Sequence, residues 1–275
     1  MGKDTAALAA MSGKLLEAVS RARPLVQNIT NFVSMDIAAN ALLAIGASPA
    51  MVHAPEESPE FSKFINALVI NIGTLSAVAA DSMEVAAQAA QRNKKPWLLD
   101  PVGAGGLTLR NETVKRLLPY RPTIIRGNAS EIIGVTRILG LTDNSAAPRG
   151  VDSTSSADDV EANAIALARH CQCTVVATGD IDIVSDGERI ARIANGTPMM
   201  TRVTALGCSL SSVTGAFMAV GEHPFDAAVA TLAVYGVAGE MALENAAGPA
   251  SFRVAFLDIL HTIRATDIHA RLRTV

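Results

Sequence analysis

Residues 68–100 read LVINIGTLSAVAADSMEVAAQAAQRNKKPWLLD. The stretch opens on a β-rich apolar run, Leu68–Ile72, and closes on a second one, Trp97–Asp100. Between them, Ala77–Arg92 is rich in alanine, with apolar residues recurring at helical spacing. Strand, helix and strand in immediate succession form the unit of a parallel sheet, because parallel neighbours need a long crossover and a helix usually supplies it.

The same rhythm extends in both directions. Further strands are expected at Leu25–Ile29, Thr123–Arg126, Thr174–Thr178 and Ile181–Ser185, with Arg189–Ile193 pairing back through Asp186-Gly187 as an edge hairpin. Helices are expected at Met35–Ala44, Ser130–Leu139, Ala157–His170, Ser209–Val220, Phe225–Glu244 and Phe252–Ala265. Thr142–Ser156, rich in Asp, Asn, Ser and Pro, reads as a surface loop or short linker. No repeat or break in composition divides the chain, so residues 1–275 are expected to form a single α/β domain. With 49% hydrophobic and only 4% aromatic residues, its core must be built from Ala, Val, Ile and Leu.

Composition also narrows the function. A net charge of −3 with dispersed charges leaves no electrostatic footprint for nucleic acid or anionic lipid. Met1–Arg23 carries Asp4 and Glu17 and lacks the basic start and compact apolar core of an export signal. Cys171, Cys173 and Cys208 make an odd count and form no paired metal motif, so reduced thiols in the cytoplasm are expected. The charge-free stretch Val203–Gly221 is long enough to raise the question of a membrane span. It contains Thr204, Ser209, Ser211, Ser212 and Thr214, and reads as a buried helix of a soluble core.

In an open parallel sheet, ligands bind outside the carboxyl ends of the strands, so the residues following each strand carry the functional information. Asp100 ends one strand and is followed by Pro101-Val102-Gly103-Ala104-Gly105-Gly106, either a tight structural turn or a place where a ligand approaches backbone. Arg126-Gly127-Asn128-Ala129-Ser130-Glu131 places an arginine at a strand tip and a glutamate in the next helical turn. Asn128 with Glu131 also spells a capping box, which would make the glutamate structural. Thr178-Gly179-Asp180 offers a hydroxyl that could bond a phosphate or simply form a turn. Val203–Leu210 sets a flexible turn and the Cys208 thiol at the start of an apolar helix, where an anion or a thiolate would be stabilised, or where a cysteine could simply be buried. All four fall on one edge of the expected sheet. An arginine for phosphate oxygens and carboxylates for hydrated magnesium are what phosphoryl transfer requires nearby.

Several chemistries are absent from the pattern. There is no G-x-x-x-x-G-K-[ST] loop, and Gly103-Ala104-Gly105 lacks the third glycine of a dinucleotide fingerprint. H-E-x-x-H and G-x-S-x-G are also missing. Five scattered histidines form no ligand cluster, and His53 reads equally well as a packing or loop residue.

Five segments taken in order carry a resemblance over nearly the whole chain: Pro24–Val33, Ala41–Met51 ending in Gly46-Ala47-Ser48-Pro49-Ala50-Met51, Leu99–Gly105, Ile125–Glu131 and Val203–Leu210. Together they resemble the hydroxyethylthiazole kinases, ribokinase-fold enzymes of thiamine salvage. The resemblance implies a three-layer αβα fold with a mostly parallel central sheet. It implies transfer of the ATP γ-phosphoryl group to the primary alcohol of 4-methyl-5-(2-hydroxyethyl)thiazole. Arg126 and Thr178 would then contact ATP, Asp100 and Glu131 would support Mg2+, and Met51, Ala205 and Asn31 would line the thiazole site. Cys208 would sit where the alcohol is activated. Many relatives have Gly-Thr-Gly-Cys where this chain has Ala205-Leu206-Gly207-Cys208, which puts the shape of that turn in question. A homotrimer is also implied, with active sites between subunits and the Asn28–Met51 region facing a neighbour. The competing expectations are another enzyme of the same fold, such as a hydroxymethylpyrimidine kinase or an ATP-dependent hydrate dehydratase, and a non-catalytic thiazole or nucleotide sensor.

Overall fold

A computed structural model of the chain describes residues 3–141 and 157–275, so the Thr142–Ser156 loop expectation lies outside the described residues. The chain runs α1 (Lys3–Ala22), β1 (Leu25–Ile29), α2 (Met35–Ala44), β2 (Ser48–Ala50), α3 (Ser58–Phe61), β3 (Ala67–Asn71), α4 (Ala77–Arg92) and β4 (Trp97–Asp100). It continues through α5 (Thr108–Leu117), β5 (Ile124–Asn128), α6 (Ala129–Ile138), α7 (Ala157–Cys171), β6 (Thr174–Thr178), β7 (Asp182–Ser185) and β8 (Ile190–Ile193). Four helices close it: α8 (Leu206–Val220), α9 (Pro224–Leu243), α10 (Pro249–Thr262) and α11 (Ala265–Arg271).

The strands form one sheet in the order β2-β1-β3-β4-β5-β6-β7-β8. Pairing is parallel from β2 to β6, and β7 and β8 pair antiparallel, forming the edge hairpin read from Asp186-Gly187. Successive strand residues point to opposite faces, and both faces are apolar. Val26, Val69, Leu98, Ile124, Val176 and Val184 meet the layer of α1, α2 and α8–α11, while Leu68, Ile70, Trp97, Leu99, Ile125 and Val175 meet the layer of α4–α7. This is the expected three-layer αβα arrangement. Each fully buried Val, Leu or Phe contributes roughly 1.5–3 kcal/mol by leaving water. The length and apolarity of α9 would suit a membrane span, yet most of its residues are buried inside the protein, as in the central helix of a layered core.

Five of these elements, α1, β2, α3, α5 and α11, have no counterpart in the sequence expectations. Strand β2 is three residues long, contains Pro49 and lies at the sheet edge, where proline is tolerated and no alternation can register. Helix α5, TLRNETVKRL, is polar and buries only Thr113, Val114 and Leu117. The helix expected at Ser209–Val220 instead begins at Leu206, so Cys208 lies inside its first turn. The helix expected at Phe252–Ala265 is α10, which starts at Pro249, where the missing N–H of proline costs nothing, and stops at Thr262, before α11 begins at Ala265.

Close approach of backbone fixes the loop after β4. An ideal Cβ on Gly134 of α6 would fall 2.4 Å from the Ala104 carbonyl oxygen, and one on Gly105, at φ +90°, would fall 2.8 Å from the Gly134 Cα. Two glycines facing each other therefore let residues 101–106 lie flat on α6, directly beyond Asp100.

Candidate active site

The connections from β1 to β2 and from β2 to β3 run in opposite directions across the sheet. The carboxyl ends of β1 and β3 thus flank a crevice at the point where the winding reverses, the general ligand position in open α/β sheets. Asn31, just beyond β1, donates from Nδ2 to Oδ1 of Asn71 at 2.9 Å and to the Cys208 sulfur at 3.3 Å. Residues 177 positions apart in the chain meet there.

Asp100, at the tip of β4, is buried beside them. Its Oδ2 accepts hydrogen bonds from Asn71 Nδ2 (2.7 Å) and Ser211 Oγ (2.6 Å) and lies 3.8 Å from Arg126 Nη1, while its Oδ1 is buried without a partner among the described residues. Burial pushes the Asp100 carboxyl up to about 7; the Arg126 guanidinium opposes the rise and the Glu131 charge adds to it. Arg126, from β5, is also buried. It donates from Nη1 to the Gly207 carbonyl (2.9 Å) and from Nη2 to Thr178 Oγ1 (2.8 Å), and its Nε has no partner among the described residues. One arginine thus ties β5, β6 and the first turn of α8 together.

Glu131 realises the capping box. Its Oε2 accepts from the Asn128 N–H (2.8 Å), and its Oε1 accepts from the Gly103 N–H (3.1 Å), which joins α6 to the loop beyond Asp100. The structural role written in the local sequence is therefore present, and each oxygen keeps a lone pair for a further donor.

The turn before α8 is strained. Ala205 adopts φ +63°, ψ 10°, the left-handed region that a residue with a Cβ enters at a cost of about 1–2 kcal/mol. The first helical turn that follows this bend carries N–H groups without helical partners, the kind of place where anions bind. From α9, the Tyr235 hydroxyl donates to the Leu206 carbonyl at 2.8 Å and lies 2.6 Å from Ser209 Oγ, bracing the turn from behind.

Cys208 is half-buried in this turn. The sequence suggested a thiol lowered by the helix N-terminus, and the surroundings do the reverse. Burial, joined by the nearby Asp100 charge, pushes the thiol up, outweighing the Asn31 and Asn71 amides and Arg126. Cys208 in this form is a positioned thiol rather than a preformed thiolate.

Beyond Arg126 opens a cleft of about 750 Å³. Thr178 and Arg126 lie at its floor, Ala205–Gly207 form one wall, residues 194–198 form the other, and Leu210 and Leu232 supply apolar surface. Asp182 also faces it, accepting from the Gly179 N–H at 3.0 Å, and burial raises its carboxyl to about 6 against that hydrogen bond and Arg126.

The expected site residues therefore fall into two groups around the start of α8. Arg126, Thr178 and Ala205 border the cleft. Asn31, Cys208 and Asp100 meet at the switch point, with Glu131 behind Asp100. Met51 is not among the residues that line the cleft with Ala205. It follows the edge strand β2, where its carbonyl lies 3.1 Å from His53 Nδ1, and His53 Nε2 accepts from the Thr30 N–H at 3.3 Å. His53 is thus a loop tie between the ends of β1 and β2. Asn71, Ser211 and Asp182 were not anticipated. Asn71 ends β3, where the rule that singled out Asp100 applies equally, whereas Asp182 opens the antiparallel β7, whose start lies at the same edge as the end of β6. Among the described residues, no group of three or more His, Cys, Asp or Glu side chains could hold a metal ion.

This arrangement can be set beside known proteins. The sequence pattern of the hydroxyethylthiazole kinase family matches residues 16–266. The chain belongs to the hydroxyethylthiazole kinase family. A hydroxyethylthiazole kinase of Rhizobium leguminosarum bv. trifolii is 49% identical over 262 residues, covering 95% of this chain and 96% of that protein. One from Cereibacter sphaeroides is 50% identical, covering 94% and 97%. The solved structure of a hydroxyethylthiazole kinase protein from Pyrococcus horikoshii superposes with a TM-score of 0.88 at 38% identity, over 96% of this chain and 98% of that one. A pyridoxal kinase from Staphylococcus aureus, at 16% identity and a TM-score of 0.57, shares the fold alone. The ribokinase-like expectation holds across the whole sheet.

Proposed function

We propose that this chain transfers the γ-phosphoryl group of ATP to the primary alcohol of 4-methyl-5-(2-hydroxyethyl)thiazole, giving the thiazole phosphate used in thiamine salvage. The observation that carries the reading is the convergence of Arg126, Asp100 and the first turn of α8 on one point between a nucleotide-sized cleft and the Asn31–Cys208 crevice. ATP occupies the cleft, its phosphates directed to Arg126, Thr178 and the free N–H groups of Gly207 and Cys208. The alcohol lies on the opposite side of that turn, against Cys208 and Asn31, with Ala205 between the two substrates.

Phosphoryl transfer asks the protein for position and charge stabilisation more than for covalent chemistry. Arg126 is held by two hydrogen bonds and needs little reorganisation as charge develops on the phosphoryl oxygens. Asn31 donates to the Cys208 sulfur, fixing the thiol beside the acceptor oxygen, where the alcohol can hydrogen-bond to it. Magnesium fits the residues present: the unpartnered Asp100 Oδ1 is a donor that a hard cation takes, and Glu131 keeps lone pairs for a metal-bound water. Asp100 and Glu131 would hold it, and it would offset charge on the phosphates when bound.

The thiazole side is open in a single subunit. Met51 does not line the cleft, and Phe32 and Val33, next to Asn31, are 78% and 55% exposed. Apolar side chains exposed at the rim of the crevice fit the homotrimer, in which a neighbour's Met51 region closes the thiazole pocket. The three free thiols fit residence in the reducing cytoplasm.

The test is ADP release from MgATP with and without 4-methyl-5-(2-hydroxyethyl)thiazole, with the phosphorylated product identified by mass. Thiazole-dependent turnover supports the kinase. Binding without turnover makes the chain a sensor, and absence of binding points to another substrate of the same fold.

A further inference from the structure

The wall of the cleft formed by residues 194–197 follows β8 and is held from outside the cleft. Asn195 is buried, and both ends of its carboxamide are committed. Its Oδ1 accepts from the Arg273 N–H at 2.7 Å, and its Nδ2 donates to the Arg271 carbonyl (2.9 Å) and to Glu240 Oε1 (3.1 Å). Glu240, on α9, accepts from the Gly196 N–H at 2.8 Å and is gripped by both arms of Arg273, Nη2 to Oε1 at 2.7 Å and Nη1 to Oε2 at 3.1 Å. Arg273 Nη2 also donates to the Ala194 carbonyl at 2.9 Å, and the Ala194 N–H donates to the Arg273 carbonyl at 3.0 Å. A glycine in α9 admits the wall at this distance, since an ideal Cβ on Gly236 would lie 2.7 Å from the Asn195 Cβ. Ala194, Asn195 and Gly196 face the cleft, whereas Arg273 and Glu240 do not line it.

We infer that the Arg273–Glu240 pair, acting through Asn195 and Gly196, is a positioning device that pre-organises the nucleotide wall of the cleft. The inference rests on the reading of this cleft as the ATP site. Gly196 sits at φ +133°, a conformation with wide freedom in the absence of restraint. Without the clamp, the wall must be ordered when the nucleotide binds, and that ordering is subtracted from affinity. Acceptor binding, on the other side of the α8 turn, does not draw on the wall. The device therefore acts on one substrate and not on the other, a pattern that a general brace of the fold would not produce.

The Arg273 side chain is 55% exposed, so Arg273→Ala removes it without opening the core. The experiment titrates MgATP calorimetrically in the absence of thiazole and measures both KM values and kcat, for wild type, Arg273→Ala, Glu240→Gln and the double variant, with Arg126→Ala as reference. Arg273→Ala is expected to raise the ATP dissociation constant and KM about tenfold, with kcat at saturation and the thiazole KM unchanged. Glu240→Gln raises the same constants, and the double variant is no worse than the larger single effect, because both act through one pair. A lowered melting temperature with unchanged ATP affinity, an equal rise in the KM for thiazole, or additive effects in the double variant would each overturn the inference. Arg126→Ala separates the two levels. If it weakens ATP while Arg273→Ala does not, only the clamp is wrong, and if it leaves ATP affinity untouched, the cleft is not the nucleotide site and both readings fall.

Discussion

Replacing Asp100 by asparagine should make the metal-free protein more stable above neutrality while disabling it. Folded Asp100 holds its proton up to pH about 7, whereas the ordinary carboxyl value is 3.8, so between those values the folded state carries the extra proton and stability falls as pH rises. A displacement of about 3 units corresponds to about 4 kcal/mol lost to burying the charge, fully expressed above pH 7. Asparagine can keep its amide oxygen on Asn71 and Ser211 and place its NH2 where Oδ1 has no partner. That NH2 is then buried unsatisfied, which returns about 1–3 kcal/mol. The net gain at pH 8 is about 2 kcal/mol, or roughly 4–6 °C in Tm for a domain of this size. The assay is urea denaturation of chelator-treated protein between pH 5 and pH 8, with Tm alongside. The variant's advantage should shrink as pH falls from 7 toward 4. Equal or lower stability at pH 8, or a difference that does not change with pH, would refute the account of Asp100 as a buried, costly charge. Turnover should fall by ~10²-fold or more with thiazole binding little changed, since the loss lies in charge stabilisation.

Other expectations follow from single contacts. Ala205→Gly relieves the left-handed turn and should raise stability by about 0.5–1 kcal/mol, read as a shift in the urea midpoint; a loss would mean that the turn relaxes in solution. Gly134→Ala forces a Cβ against the Ala104 carbonyl and should cost about 2–3 kcal/mol, with kcat falling because the loop beyond Asp100 is displaced. Cys208→Ser should lower kcat about tenfold while Cys171→Ser leaves it near wild type, and equal effects would reduce Cys208 to packing.

The layered fold was legible because its signal is local. Runs such as Leu68–Ile72 and helices such as Ala77–Arg92 carry their own periodicity, and helix α4 matches the reading to the residue. Strand β2 was not legible, since three residues with a proline leave no pattern, and α5 has too narrow an apolar face. In the site, the strand-end rule found Asp100, Arg126 and Thr178, and the sheet brings their tips together. Asn71 was hidden because the apolar run continues to Ile72, whereas β3 ends at Asn71, which links Asp100 to Asn31. The raised thiol of Cys208 lay beyond local reading, because its cause is desolvation and a carboxylate contributed by another strand. Glu131 shows the converse. A capping pattern was visible and is realised, and it coexists with a position behind Asp100 that only the tertiary structure supplies.

The layer of α8–α11 comes from the last quarter of the chain, yet it covers the face of a sheet whose first strand is finished at Ile29. A ribosome adding ~5–20 residues per second completes β1 some ten to forty seconds before α8 emerges. Val26, Val69, Leu98, Ile124 and Val176, as each is made, lack α8–α11 until the end of that interval. A half-made chain is then a sheet with one greasy side covered at most by α1 and α2, the kind of substrate that holding chaperones recognise. Because Asn31 meets Cys208 only when that side is closed, the nascent protein has no partial activity to misfire, and any truncated product is both inert and prone to aggregate.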